Sequence, residues 1–327
     1  MKVNEMQPLV SIGLPVYNGE NYICEAIDSI LNQTFANFEI IISDNASSDR
    51  TEAICQEYAA RDSRISYYRQ EKNLGAAPNY NFVFQLAQGK YFKWLAHDDV
   101  CAPEFLEKSV AILESDHSVV LCYSRIRIID KEGKVMSCSD PLYEWISTGI
   151  GKLSDDSDPL SIRFRNVIGP HPCYPVFGLI RTVILKETGI IGSYSDSDRV
   201  LLAQLALRGK FYQFPEDLLY LRRHLKQSIQ ALASHRSQHK YTHWFDPVTK
   251  DKIIFPHWRV LKELLISIKE LPLSWQEKLN CYLALIPWLR RSRKGMIEDL
   301  YIASQQILAK LYRKFRFGLK RQTVIKE

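Results

Sequence analysis

From Val10 onward, short runs of β-branched and aromatic residues alternate with segments of helical period, the βαβα pattern of an open sheet with ligands at the carboxyl ends of its strands. VSIGLPV is the first strand. NGENYICEAIDSILNQ then places Ile23, Ala26, Ile27, Ile30 and Leu31 on one helical face, and FEIIIS is a buried second strand. Asp49 with Glu52 three residues on predicts a capped helix start, RISYYRQ a third strand, and Pro78 the first turn of another helix. YFKWLA, the fourth strand, runs directly into His97-Asp98-Asp99, and Pro103 opens a helix carrying Leu106, Val110 and Leu113 on one side.

SVVLCYSRIRIIDKEG reads as a long strand entering a turn, and residues 137–170 read as an irregular stretch rich in Ser, Asp, Gly and Pro. YPVFGLIR, a short helix, the helical SDSDRVLLAQLALRG, and two strands, FYQFP and LLYLRRH, follow. Beyond about residue 228 strand signals stop and helical patterns take over, around Trp258 to Ile268 and again from Ile297 to Leu319. The expected fold is therefore α/β, a mostly parallel twisted sheet flanked by helices over residues 1–230, with an α-helical C-terminal extension over 231–327.

Composition narrows the class. With 46% hydrophobic and 24% charged residues in 327, the chain is globular in composition and long enough for a sizeable core. Seven scattered cysteines with no C-x-x-C pair suggest reduced thiols in a cytosol, with neither a zinc cage nor a disulfide framework. No export signal is visible, and the most apolar later run, LNCYLALIPWL, is too short to span a bilayer. The expected location is cytoplasmic.

The net charge of +6 is uneven: residues 287–327 hold 11 Lys or Arg against 3 Asp or Glu, giving +8, so the rest sums to −2. A basic tail on a near-neutral body argues against a nucleic-acid partner. Apolar Leu300, Tyr301, Leu308, Leu311, Phe315 and Leu319 recur there at helical spacing among Arg and Lys, so the tail either lies on an anionic membrane or packs on the body with a solvated basic side.

Chemistry concentrates at strand ends. Pro15-Val16-Tyr17-Asn18 closes the first strand and Asp44-Asn45 the second, so an aromatic ring and a carboxylate able to accept a pyrimidine N–H meet on one rim. Asp98 and Asp99 lie on the same rim, where adjacent carboxylates repel unless a cation such as Mg2+ or Mn2+ holds them against substrate phosphates. The competing reading of HDD is a solvated turn with a helix-capping Asp.

The linked strings PLVSIGLPVYNGENYICEAIDSILNQTFANFEIIISDNASSDRT, EKNLGAAPNYN, GKYFKWLAHDDVCAPEFLEK and SDRVLLAQLALRG together resemble the family 2 inverting glycosyltransferases of the GT-A fold, over roughly residues 8 to 228. That resemblance implies a nucleotide pocket at Pro15, Tyr17, Asn18, Asp44 and Asn73 to Gly75, with Asp44 as the pyrimidine-reading carboxylate. It makes Asp98 a residue facing ribose or metal and Asp99 the main ligand of Mn2+ or Mg2+. Asp198 becomes the base that takes the acceptor proton, with Asp196 as the fallback. Arg222, Arg223 and His224 become the basic segment closing over the diphosphate, with His224 a further metal ligand.

Two positions depart from the family pattern, Ala96 where a carboxylate often stands and Ser197 where a Glu usually precedes the base. The implied function is transfer of a sugar from a UDP-sugar, or a dTDP-sugar, to a glycan or lipid-linked acceptor, as in cell-surface polysaccharide synthesis. The rivals are a catalytically silent scaffold of the same fold and a sugar nucleotidyltransferase. A Rossmann oxidoreductase is disfavoured, since no G-x-G-x-x-G follows the first strand. Tyr67, Tyr68, Phe82, Phe84 and Trp94 read as core; Trp244, Trp258, Trp275 and Trp288, which could line a sugar groove by stacking, read in helical context as core or interface packing and are left unassigned.

Overall fold

A computed structural model of the chain describes residues 7–136, 153, 158–224, 238–250 and 252–324, with side chains in the last helix described to residue 312. Eight strands form one sheet in the order β3-β2-β1-β4-β7-β6-β8-β5. They are β1 (Val10–Val16), β2 (Phe38–Asp44), β3 (Ile65–Arg69), β4 (Tyr91–Trp94), β5 (Val100–Cys101), β6 (Val119–Ile129), β7 (Leu179–Arg181) and β8 (Lys210–Arg222). β1 runs parallel to β2 and β4, β2 to β3, and β6 to β8, whereas β7 is antiparallel to both its neighbours and β5 to β8. The sheet is mixed, and the parallel half carries the βαβ units the pattern predicts.

The helices are α1 (Ile23–Leu31), α2 (Thr51–Arg61), α3 (Ala76–Gln85), α4 (Phe105–Ser115), α5 (Leu160–Val167), α6 (Thr182–Lys186), α7 (Ser197–Ala206), α8 (Gln238–Phe245), α9 (Pro256–Glu270), α10 (Trp275–Ala284) and α11 (Ile286–Val324). The period of two along each strand sorts its side chains onto opposite faces. Ile40, Ile42 and Tyr91 join a cluster with Ile23 and Ile27 of α1 and Leu106 of α4. Ile41, Phe92 and Trp94 point the other way, into a cluster with Val83 of α3, Leu201 of α7 and Leu264 of α9. That second cluster continues through Cys281 and Trp288, so one apolar core joins residues on both sides of position 230.

Several local expectations change. Asp49 does not cap α2 as an N-cap with Glu52 three residues on: the helix begins at Thr51, whose N–H and hydroxyl both reach Asp49 Oδ1, while Glu52 turns to Arg69. Within the stretch read as irregular, Leu160–Val167 is helical and buries Phe164 and Val167; the rest of 137–157 other than Leu153 lies outside the described residues. YPVFGLIR is not one strand, because Tyr174–Phe177 is a 3-10 turn ahead of β7. FYQFP and LLYLRRH belong to a single strand, β8, which carries its register shifts opposite Ser124 to Ile126 instead of turning at Pro215.

Candidate active site

The ends of β1, β2 and β4 form the expected rim, with Val16 paired to Asp44 and β4 leading into Asp98. Asn18 adopts a left-handed backbone (φ 52°) that turns the chain back over α2's start; its N–H donates to Ser47 Oγ and its side-chain oxygen accepts from Ser48 N–H. Tyr17 next to it is exposed, as a base-stacking ring requires, and Pro15 is buried in β1.

Asp44 is placed differently from a residue read as open to a base. Its side chain is 0% exposed, Oδ1 accepts from Ser47 N–H at 2.8 Å and Oδ2 from the Tyr67 hydroxyl at 2.9 Å. Each oxygen keeps a second lone pair. Tyr67, read as core, is thus a partner of the rim carboxylate, and burial followed by that hydrogen bond raises its phenol well above the ordinary range. Arg69 stands at 3.9 Å from Asp44 and 2.8 Å from Glu52.

The Asn73–Gly75 loop is pinned by Asn45, a residue that attracted no role in the sequence. Asn45 donates to Asn73 Oδ1 and Gly75 O and accepts from Leu74 N–H, and Asn73 Oδ1 also takes the Gly75 N–H. Gly75 needs to be glycine twice over: its φ is +91°, and a Cβ would meet Pro247 Cδ at 2.5 Å and the Phe245 carbonyl oxygen at 2.6 Å. The segment after α8 therefore rests directly on this loop.

Asp98 and Asp99 are both buried at the end of the β4 segment. His224 Nε2 lies 3.0 Å from Asp98 Oδ2 and Arg222 N–H donates to Asp99 Oδ1 at 3.1 Å, but the ligand atoms of the expected trio of Asp98, Asp99 and His224 do not all lie within 4.8 Å of one another. Burial works to raise the Asp98 carboxyl, but the hydrogen bond from His224 and the charges of His97 and His224 outweigh it and hold it below its usual range. Asp99 goes the other way: burial, then the neighbouring Asp98 charge, push its carboxyl well up. An acidic pair at odds in this way is an oxygen donor set suited to a hard divalent cation, with His224 adjacent.

Arg222 does not serve as expected. It is 0% exposed, its Nε donates to Asp98 O, Nη1 to the Asp130 and Lys131 carbonyls and Nη2 to Glu25, while the guanidinium lies 4.7 Å over the Tyr22 ring. With all three nitrogens engaged, it braces the Asp98–Asp99 turn and does not reach toward a diphosphate. Arg223 follows at the strand end, half-buried, its N–H donating to Ile129 O.

Asp198 sits in the first turn of α7, behind Asp196, which takes a left-handed backbone (φ 65°). Oxygens of both and the Cys173 sulfur lie within 4.8 Å of one another. This group is a poor metal cage. The Arg199 Nε lies 3.1 and 3.2 Å from the two Asp196 oxygens, and burial keeps the Cys173 thiol protonated, where it hydrogen-bonds to Asp198. Asp198 is left with burial and the Asp196 charge raising its carboxyl to about 6, against Arg199, its N–H and the thiol. Of the two candidates, Asp196 is neutralised and Asp198 carries the perturbed basicity.

Tyr80 and Tyr241 were not singled out by the sequence, and they tie the two regions together. Burial raises the Tyr80 phenol, and Asp98, Asp99 and Asp198 all add to the rise. Tyr241, from α8, feels burial, then Asp198 and Tyr80. The charges of Asp98, Asp99 and Asp198 thus all reach Tyr80. Tyr241 stacks with Trp244 (centroids 5.6 Å apart, 11° between planes), and Trp244, Trp258 and Trp275 are exposed, whereas Trp288 is core as expected. No signal short of the tertiary fold marks these tyrosines.

The matching family model is Glycosyl transferase family 2, over residues 11–182. An uncharacterized glycosyltransferase of Rickettsia prowazekii is 42% identical over 142 residues, 43% of this chain and 43% of that protein, so the match spans less than half of the relative. Escherichia coli chondroitin synthase is 36% identical over 138 residues, 42% of this chain and 20% of that protein. Among solved structures, Staphylococcus aureus TarS in complex with UDP-GlcNAc superposes with a TM-score of 0.61 at 16% identity, covering 91% of this chain and 81% of TarS. A mannosyltransferase from Pyrobaculum calidifontis in complex with GDP-Man and Mn2+ does so with a TM-score of 0.50 at 16% identity, covering 95% and 89%. At such identities these likenesses speak for the fold, which is that of GT-A glycosyltransferases. With the family model matched over residues 11–182, more than half of its length, this chain belongs to glycosyl transferase family 2.

Proposed function

We propose that the chain transfers a glycosyl unit, with inversion, from a UDP-sugar to a hydroxyl of a glycan or lipid-linked acceptor, as in cell-surface polysaccharide synthesis; a dTDP-sugar satisfies the same base contact. The observation that carries this reading is Asp198, in the first turn of α7 on a family 2 fold, with its carboxyl raised to about 6 by burial and the Asp196 charge. A group of that basicity is ionised at neutral pH and still strong enough to take a proton. In the proposed step Asp198 accepts the acceptor O–H proton as that oxygen bonds to the anomeric carbon, and the bond to the nucleotide diphosphate breaks with its electron pair on the departing phosphate.

Asp99, Asp98 and His224 would hold Mn2+ or Mg2+, which supplies charge neutralisation for the diphosphate when bound. Tyr17, Asp44 and the Asn73–Gly75 loop form the base and ribose side, and Arg223, not Arg222, is the basic residue left near the rim. The relatives' contexts, UDP-GlcNAc, GDP-Man with Mn2+ and a chondroitin synthase, favour nucleotide diphosphate sugars as a class over a nucleotidyltransferase. The silent-scaffold reading, which rests on Ala96 and Ser197, predicts no turnover.

A Mn2+-dependent titration of UDP, dTDP, GDP and CMP, with donor hydrolysis measured alongside, decides the matter. UDP or dTDP binding that is lost in Asp99→Asn and weakened in Asp44→Ala supports the transferase; metal-independent or absent binding overturns it.

A membrane contact through α11 belongs to the same reading. Ile297, Leu300, Tyr301, Ile307, Leu308, Leu311 and Tyr312 are all exposed and fall on one stripe of the helix, with Arg290, Arg293 and Lys294 exposed just before it. The alternative, in which this face packs on the body, does not hold over the described residues. No described helix is long and apolar enough to cross a membrane, so the proposed contact is an interfacial one, on the inner face. Sedimentation with anionic vesicles should carry down the wild type and not Leu300→Glu/Leu308→Glu; equal recovery sinks the contact.

A further inference from the structure

Two cavities flank the turn at residues 169–171, one of about 240 Å3 and one of about 570 Å3, and both are lined by Gly169, Pro170, Trp288 and Arg291. The smaller reaches Asp196 and Arg199, so it opens within one carboxylate of Asp198. The larger is in the size range of small-ligand sites and adds Arg165, Asn166 and His171.

Their charges do not balance. In the smaller cavity Asp196 is consumed by Arg199, and His257 hydrogen-bonds to Asp299, which leaves Arg291 as the unmatched charge. Among the described residues no acidic one lines the larger. Arg291 donates to Ile168 O at 2.6 Å and meets no carboxylate among the described residues. Arg165, exposed on the last turn of α5, has no hydrogen bond or ion pair of its own. Burial and the nearby Arg199 charge depress the Arg291 guanidinium, and the Asp196 charge offsets them only in part.

Two guanidiniums lining one cleft with the Trp288 indole and the Asn166 amide match a planar or tetrahedral oxyanion carried on a sugar ring, whereas both ring nitrogens of His171 are already taken by the Pro172 and Val167 carbonyls. We propose that this cleft is an anion subsite for the acceptor: it holds a carboxylate or phosphate of a sugar chain whose terminal hydroxyl is presented to Asp198. The assignment rests on the transferase reading and narrows it to acidic acceptors. The wall built by α5, the 169–171 turn and the start of α11 then selects the acceptor, and neutral glycans lack the group it binds.

The test is calorimetric titration of the full chain with trigalacturonate, neutral maltotriose and inorganic phosphate, with UDP and Mn2+ as a parallel titration. Wild type should bind trigalacturonate in a salt-sensitive manner and maltotriose at least tenfold more weakly. Arg165→Glu, a surface change, should weaken trigalacturonate severalfold, and Arg165→Gln/Arg291→Gln at least tenfold, with UDP affinity unchanged. Competition by phosphate assigns a phosphate-bearing chain to the same contacts, and its absence assigns a uronate. Equal trigalacturonate affinity in wild type and Arg165→Glu, or maltotriose binding as tight as trigalacturonate, overturns the subsite while leaving the transferase standing. Absence of UDP binding in the wild type sinks the transferase reading itself.

Discussion

Two pairs of acids, Asp98–Asp99 after β4 and Asp196–Asp198 at the start of α7, are treated by the protein in opposite ways. In the second pair a guanidinium is built in: Arg199 takes Asp196, and Asp198 is left as a single carboxyl raised to about 6. In the first pair the nearby guanidinium, Arg222, gives its side chain to carbonyls and Glu25, and only its backbone N–H to Asp99. In one pair Arg199 balances Asp196 and leaves Asp198 as the raised carboxyl proposed as the base; in the other His224 and His97 hold Asp98 low while Asp99 is pushed up, and this pair is proposed to hold a cation. On that proposal environment, more than residue type, divides proton chemistry from ion binding.

Asp198→Asn breaks the comparison most severely. Turnover should fall about 10²- to 10⁴-fold with UDP affinity intact. The wild-type rate should decline as pH drops through about 6, since only the carboxylate is a base. The same carboxyl costs stability: raised from 3.8 to about 6 on folding, it favours the native state fully at low pH, and that contribution is lost as pH climbs from about 4 through about 6. Asp198→Asn should therefore melt higher than wild type above pH 6, and a lower melting point there would contradict the assignment.

Asp99→Asn keeps an oxygen for the Arg222 N–H, so folding should survive while metal-dependent turnover drops about 10²- to 10³-fold; an unchanged Mn2+ dependence would remove Asp99 from the ion site. Arg222→Met leaves the Asp98, Asp130 and Lys131 carbonyls without their donor and should cost about 1–3 kcal/mol in denaturant unfolding, against no loss if the residue served only the substrate. The smallest change is Cys173→Ala. Removing a hydrogen bond that lowers the Asp198 carboxyl should move the acid limb of the rate profile upward, with turnover at its plateau changed less than tenfold.

β1, β2 and β4 were legible from their short apolar runs and α1 and α4 from their stripes, and Asp98 and Asp99 follow from a strand end, whereas Asp198 is implied by the family resemblance alone. β8 was divided in two because Pro215-Glu216-Asp217 has turn composition, whereas in the sheet the irregularity is absorbed as a bulge against β6. Arg222 was misread because a strand-end arginine looks like a phosphate ligand until its burial is known. Tyr80, Tyr241, Cys173 and Arg199 gave no linear signal: they meet only when α3, α7, α8 and the 3-10 turn pack together, and nothing in local pattern records such a meeting.

The contact of Phe245 and Pro247 with Gly75 bears on how this chain can be recombined with its relatives. The family model matches residues 11–182, yet Gly75 is moulded to a segment about 170 positions downstream. A chimera that grafts another protein's rear portion behind residue 230 inherits a floor cut for a different tenant, and donor binding should suffer even when every motif residue is preserved. Swapping acceptor ranges among such proteins calls for seams that keep 238–250 with the front half.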